Sequence, residues 1–284
     1  MGTVTAGSDV TTTDDRALRG YDSGHGSEPG DTAVIWLHGS PQTGALLTPV
    51  LEAAARRGLR VLSYARPGYG GSTPRPGRDV ASAAADLTAV ADAFGVERFG
   101  LLGASGGGPH ALAAAALLRD RVTGCVTFGS PAPFRDDDLS DQPSWFAGMR
   151  APGGLRSASA GREQRLEYQR TNTFDPESFT AADWAALAAE WSPLGDDAQA
   201  AGRGEPDGAV DDDRAFTTSW GFDPGWIEAP VLLVQGGEDR VIPAHHAQDL
   251  LAVIPTAQLW LRPRDGHISV LRALGVALDW LLDG

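Results

Sequence analysis

The chain has 284 residues, 42% of them apolar and 21% charged, proportions that suit one large α/β domain with or without an insertion. Its formal net charge of −14 makes a surface that repels phosphate backbones, so nucleic acid is excluded as an expected partner, and its single cysteine, Cys125, excludes a disulfide framework and a Cys-based zinc site. All 23 basic residues are arginine, and without a lysine the phosphate-binding pattern G-x-x-x-x-G-K-[ST] cannot occur.

Residues 1–16 are rich in Thr, Gly and Asp and read as a flexible N-terminal segment. They lack the basic and apolar regions of a signal peptide, and Ala6 stands where a myristoylation motif needs Ser or Thr. Ala17–Asp22 reads as one strand of an antiparallel edge hairpin. Short apolar runs and Ala/Leu-rich stretches of helical spacing then alternate. Strand Val34–His38 runs into His38-Gly39-Ser40-Pro41 and is followed by a helix over Thr43–Arg57. Strand Arg60–Tyr64 precedes the loop Arg66-Pro67-Gly68-Tyr69-Gly70-Gly71-Ser72 and a helix over Asp79–Phe94. Strand Phe99–Ala104 leads into a helix over Gly107–Arg119, and strand Val122–Phe128 holds Cys125 as a small buried hydrophobe.

The alternation then stops. Residues 133–222 contain no run resembling a buried strand, only short amphipathic pieces such as Arg162–Arg170, Thr180–Glu190 and Asp211–Ser219, with Gly202–Gly208 as a mobile loop. This segment reads as a helical cap inserted above the sheet's carboxyl edge. Residues 223–284 resume the pattern with strand Val231–Gln235, helix Pro243–Val253, strand Ala257–Leu261 and helix Ile268–Leu282. Strands apolar on both faces must be covered by helices on both sides, so residues 17–132 and 223–284 are expected to form one α/β core around a mostly parallel, doubly wound sheet.

Gly103-Ala104-Ser105-Gly106-Gly107 fits G-x-S-x-G between a strand and a helix. That context lifts the Ser105 hydroxyl above the sheet edge on a sharp turn, whose glycines allow strand and helix to approach closely. Serine is a weak nucleophile at neutral pH and needs a base, which needs an orienting partner. Of six histidines, His25 precedes the core strands, His110 sits too close along the following helix, and His245 and His246 lie on a helix leading away from the edge. His267, in the loop after the last strand, is the expected base. Asp239, in Gly236-Gly237-Glu238-Asp239-Arg240-Val241-Ile242-Pro243, is the expected acid, with Glu238 and Asp265 as alternatives. A tetrahedral intermediate needs preorganised N–H donors. Gly106 N–H and Ser40 N–H are expected to supply them; Pro41 has no N–H, and His38 is expected to buttress that loop.

Together these motifs, in this order, resemble the α/β-hydrolase superfamily over about residues 17–284, with the insertion matching least. The resemblance implies the α/β-hydrolase fold, the Ser105–Asp239–His267 triad and a helical cap. Serine at the elbow argues against haloalkane dehalogenases and epoxide hydrolases, which carry Asp there, and the usual glycine and Gly-Gly-Ser-Trp-Gly motifs of proline iminopeptidases are absent. Simple esterases and cofactor-free perhydrolases remain compatible. The expected activity is hydrolysis of a carboxylic ester, lactone or thioester of a small, largely apolar substrate through an acyl-serine. Amide, imino-peptide or C–C bond cleavage, or a biosynthetic cyclisation or lyase step, is the alternative use of the same residues, and a non-catalytic binding protein would show a broken triad.

Five of the eight tryptophans, Trp145, Trp184, Trp191, Trp220 and Trp226, lie at or near the insertion, and are expected to anchor it more than to line a pocket. Glu163, Glu167, Asp183 and Glu190 read as a solvated helix face, the alternative being that they hold a cationic group, as cap acids do in aminopeptidases. No cofactor and no metal is expected. The expected partner is a small-molecule substrate, with no membrane, since no apolar run reaches the roughly 18 residues that cross a bilayer. A cytoplasmic protein is the default, as monomer or homodimer.

Overall fold

A computed structural model describes residues 7–24, 33–135 and 144–283. His25 and residues 1–6 lie outside the described residues. Eight strands form one sheet: β1 (Ser8–Thr11), β2 (Ala17–Asp22), β3 (Ala33–Leu37), β4 (Arg60–Tyr64), β5 (Phe99–Ala104), β6 (Val122–Phe128), β7 (Val231–Gly236) and β8 (Ala257–Arg262). Their order across the sheet is β1-β2-β4-β3-β5-β6-β7-β8. From β4 to β8 every pairing is parallel, while β1 and β2 are antiparallel. Ser8–Thr11, expected within a flexible segment, is therefore an edge strand. Its single buried side chain, Val10, is too slight a pattern to stand out in the sequence.

The sheet is covered on both faces, as its continuous apolar strands require. On one face Ile35, Leu37, Leu62, Phe99 and Leu101 pack against α2 (Ala83–Ala93) and α3 (Gly107–Leu117). On the other, Val34, Trp36, Val61, Leu102 and Val234 meet α1 (Thr48–Ala55) and α10 (Leu274–Asp283). The division follows the two-residue period of a strand. Cys125 is fully buried, and burial alone pushes its thiol far above the ordinary range. α9 (His245–Val253) connects β7 to β8. The helices expected at Thr43 and Asp79 start later, at Thr48 and Ala83, and a 3-10 turn over Ser269–Ala273 precedes α10.

Between β6 and β7 the described residues hold α4 (Gly153–Ala160), α5 (Arg162–Thr171), α6 (Ala181–Leu187), α7 (Ser192–Ala201) and α8 (Asp207–Phe216), and no strand. α8 begins inside the stretch Gly202–Gly208 read above as a loop. Trp145, Trp191 and Trp220 are buried in the apolar clusters, whereas Trp184 and Trp226 are exposed. The first three anchor the segment, and the last two do not bury their rings.

The strand order reverses between β3 and β5: the chain runs outward from β3 to β4 and returns to place β5 on the other side. In an open α/β sheet such a switch point leaves a crevice beyond the strand ends. The loops after β3 and β5 flank it.

Candidate active site

Ser105 follows β5 directly and has φ of 51°, a left-handed conformation rare for a residue with a side chain. Its N–H donates to the Phe128 carbonyl at 2.8 Å, and its own carbonyl accepts from Gly108 N–H at 2.9 Å, which fixes the turn between β5 and α3. The turn exists only because its neighbours lack side chains. A Cβ on Gly103 would stand 2.6 Å from the Gly107 carbonyl oxygen, and one on Gly107 would stand 2.1 Å from that of Leu37.

His267, in the loop after β8, places Nε2 at 2.9 Å from Ser105 Oγ and Nδ1 at 2.7 Å from Asp239 Oδ2. Three residues far apart along the chain thus meet at the carboxyl ends of β5, β7 and β8. Asp239 is held by N–H donors from Val241 and Ile242, both at 2.8 Å to Oδ1, which leaves Oδ2 for the imidazole. Of the alternative acids, Glu238 is exposed and Asp265 pairs with Arg262 on its own loop. Burial works against charging His267, but the Asp239 carboxylate and, further off, Asp183 outweigh it, so its pKa is raised above that of an ordinary imidazole.

Gly106 and Ser40 bring the loops after β5 and β3 together: a Cβ on Gly106 would lie 2.6 Å from Ser40 Oγ. Among the described residues, neither amide donates to another backbone carbonyl. The Phe216 ring of α8 lies against Gly106, 3.2 Å from where that Cβ would be. His38 accepts from Arg66 N–H at Nε2, 3.1 Å, so Nδ1 carries the proton and donates to the Gly39 carbonyl at 2.6 Å. Burial, then the neighbouring Arg66, holds His38 well below the ordinary range and so neutral. His38 therefore buttresses the loop. His110 is likewise buried and neutral, with a pKa lowered to about 3, and bonds the Gly106 carbonyl. His246 is buried too, accepting from Ala132 N–H at Nδ1.

Two buried carboxylates from the inserted helices reach this site: sequence reasoning does not single out Asp212, and it reads Asp183 as part of a solvated face or as an acid for a cationic group, not as a partner of the His267 loop. Asp212 of α8 is fully buried. It pairs with Arg66 and Arg78, both at 2.7 Å, and accepts hydroxyl bonds from Ser40 at 2.6 Å and Tyr69 at 2.9 Å. Arg66 also donates to the carbonyls of His38 and Gly39 and to Ser40 Oγ, so the loop after β3 is clamped from behind. The run Asp211-Asp212-Asp213 beside the apolar Val210, Ala215 and Phe216 is the one sequence signal, since three successive acids cannot all face solvent on a helix whose flanks are buried. Asp183 of α6, read above as part of a solvated face, is also fully buried, whereas Glu163 and Glu167 are exposed and Glu190 pairs with Arg272 at the surface.

The model of the α/β-hydrolase fold family matches residues 32–273, and the chain belongs to that family and is an enzyme. It is 30% identical over 256 residues, 87% of this chain and 82% of the relative, to a 2-hydroxy-6-oxononadienedioate/2-hydroxy-6-oxononatrienedioate hydrolase of Cupriavidus pinatubonensis. It is 25% identical over 250 residues, 86% of this chain and 75% of the relative, to the serine hydrolase BPHL of Mus musculus. Among solved structures, a hydrolase from Pseudomonas aeruginosa superposes with a TM-score of 0.72 at 21% identity, covering 98% of each chain. Among the described residues no helix is long and apolar enough to cross a membrane.

Proposed function

We propose that the protein cleaves a carboxylic ester, lactone or thioester of a small, largely apolar substrate through an acyl-Ser105 intermediate. His267 Nε2 takes the Ser105 proton as Oγ attacks the carbonyl carbon, then returns it to the leaving oxygen or sulfur. Water enters and gives its proton to the same nitrogen as its oxygen attacks the acyl carbon; the imidazolium then returns that proton to Ser105 Oγ as the acid leaves, so the cycle needs no cofactor. Asp239 fixes the tautomer and stabilises the imidazolium. Ser40 N–H and Gly106 N–H receive the oxyanion, each such donor being worth about 3–4 kcal/mol in comparable sites. The inserted helices serve as a cap, with the Phe216 ring as an apolar wall beside the reacting carbon. The observation that supports this reading above all is the imidazole bridging Ser105 Oγ at 2.9 Å and Asp239 at 2.7 Å.

The Cupriavidus relative favours a second reading, in which the same residues act on an oxo-dienedioate. Such a dianion calls for cationic side chains in the pocket. The two buried arginines that follow β4, Arg66 and Arg78, are already committed to Asp212 and to carbonyl groups, which favours the less charged ester. We further propose a cytoplasmic protein whose partner is the small-molecule substrate rather than nucleic acid or membrane.

Ser105→Ala is expected to lose on the order of 10³-fold or more in turnover of a p-nitrophenyl ester. Mass spectrometry of the intact wild-type protein with a panel of activated esters should show one acyl group on Ser105. Undiminished turnover in the variant would refute the assignment, and turnover of an oxo-dienedioate without ester turnover would select the second reading.

A further inference from the structure

We propose that Asp183, on the inserted helix α6, is a positioning residue for His267. The inference rests on His267 acting as the base.

One carboxylate gathers the whole loop that carries the imidazole. Asp183 Oδ2 accepts from the His267 N–H at 3.2 Å, and Oδ1 accepts from the N–H groups of Ile268 at 2.9 Å and Ser269 at 2.8 Å. The Ser269 hydroxyl donates to Oδ1 at 2.9 Å and itself accepts from Gly266 N–H at 2.8 Å. Four successive residues, Gly266 to Ser269, are thus organised around a side chain more than 80 positions earlier in the chain. Gly266 makes the approach possible, because a Cβ there would stand 2.1 Å from Asp183 Oδ2. Oδ2 also ties the carboxylate into its own helix: it accepts from Thr180 N–H at 2.9 Å, while Thr180 Oγ1 accepts from Asp183 N–H at 3.2 Å. This reciprocal capping fixes α6 at the same carboxylate that fixes the loop. A helix cap needs only the Thr180 contacts. The amides of the His267 loop are additional, and they set where the imidazole sits relative to Ser105.

Asp183 also places charge beside the base. Burial opposes its ionisation, but the bonds from Ser269 and Thr180 hold its carboxyl below the ordinary range. The charged groups facing His267 are Asp239, from the loop after β7, and Asp183, from α6; Asp265 on the imidazole's own loop is paired with Arg262. Removing the charge at 183 leaves Asp239 alone to favour the imidazolium.

The test compares Asp183→Asn with the wild-type enzyme on a p-nitrophenyl ester across pH. The variant is expected to lose about 10²-fold in kcat, the effect of a small misplacement of a reacting group, with KM within about twofold. The acidic limb of its kcat/KM profile should move to lower pH, a change that a purely structural weakening would not produce. Ser269→Ala keeps the charge and removes one tether, so kcat should fall by up to about tenfold with the limb in place. Labelling of Ser105 by a fluorophosphonate separates the two levels of the inference. No labelling of the wild-type protein would sink the hydrolase reading itself. Normal wild-type labelling, with Asp183→Asn labelled equally fast and its pH limb unmoved, would overturn the role of Asp183 alone. Should Asp183→Asn not fold, Ser269→Ala decides: wild-type kcat there overturns the proposal and a loss supports it.

Discussion

The imidazole of His267 is buried, a condition that taken alone would lower its pKa, yet its contact with Asp239 outweighs burial and raises it. As the proposed base it must be neutral to accept from Ser105. Ester hydrolysis should therefore rise with pH through a midpoint above the ordinary imidazole value of about 6.5, measured as kcat/KM with a substrate that does not titrate. Asp239→Asn removes the charge that raises the pKa and lets the wrong tautomer form, so kcat should fall by about 10⁴-fold and the remaining activity should titrate at lower pH. Unaltered kcat in this variant would show that Asp239 does not orient the base. Ser105, Asp239 and His267 were legible because each sits in a loop directly after an apolar strand, where chain order and fold together leave few candidates. Asp183 and Asp212 were not. A carboxylate on a short amphipathic helix looks the same in sequence whether its face meets water or meets backbone amides, and every residue but proline offers the same amide, so nothing in the His267 loop marks it as the acceptor's partner.

The inserted helices meet the sheet through charged groups as much as through apolar ones. α8 carries Asp212 into full burial between Arg66 and Arg78, while Asp211 pairs with Arg162 of α5 and Asp213 with Arg165. Removing one partner of such a buried set leaves the other charges uncompensated, which costs about 3–5 kcal/mol. Asp212→Ala should lower the free energy of unfolding by that amount in urea titration, and should also slow ester turnover, because Arg66 and Ser40 lose their common acceptor. A change under about 1 kcal/mol would mean that water or a rearranged Asp211 takes over the arginines. The core elements were readable for a simple reason: strands covered on both faces are unbroken apolar runs, and the helices between them are rich in Ala and Leu. α4 opens on Gly153-Gly154 and α7 on Ser192-Pro193, with only Ala158 and Leu194 buried respectively. With so few inward positions, neither helix leaves a periodic trace, and packing against neighbours decides that they form.

For the molecule as a whole, acid stability depends on histidines that folding keeps neutral. His38, His110 and His246 are all buried, burial being the first cause that lowers each, and His110 and His246 fall to about 3. An unfolded chain protonates all three near pH 6.5, whereas the fold leaves His110 and His246 neutral until about pH 3 and holds His38 well below its ordinary value. Each therefore withdraws stability as pH falls below 6.5, by up to about 1.4 kcal/mol per pH unit. Asp213 works in the opposite sense. Burial raises its carboxyl to about 6, so the fold takes up that proton before the unfolded chain does and regains stability on acidification toward pH 4. His267, with a raised pKa, is protonated in both states by pH 5 and contributes no slope there. At pH 5 His110 and His246 each gain about one proton on unfolding and Asp213 gives up about one, so the two histidines outweigh it, and His38 adds to the loss in the same direction. Stability should then decline well above the pH at which carboxylates alone would cause it. His246→Asn offers Oδ1 to Ala132 N–H in place of Nδ1 and carries no titrating ring. Urea unfolding of this variant between pH 6.5 and 5 should give a slope shallower by about 1.4 kcal/mol per pH unit than wild type, whatever its absolute stability. An unchanged slope would mean that His246 already binds its proton in the fold.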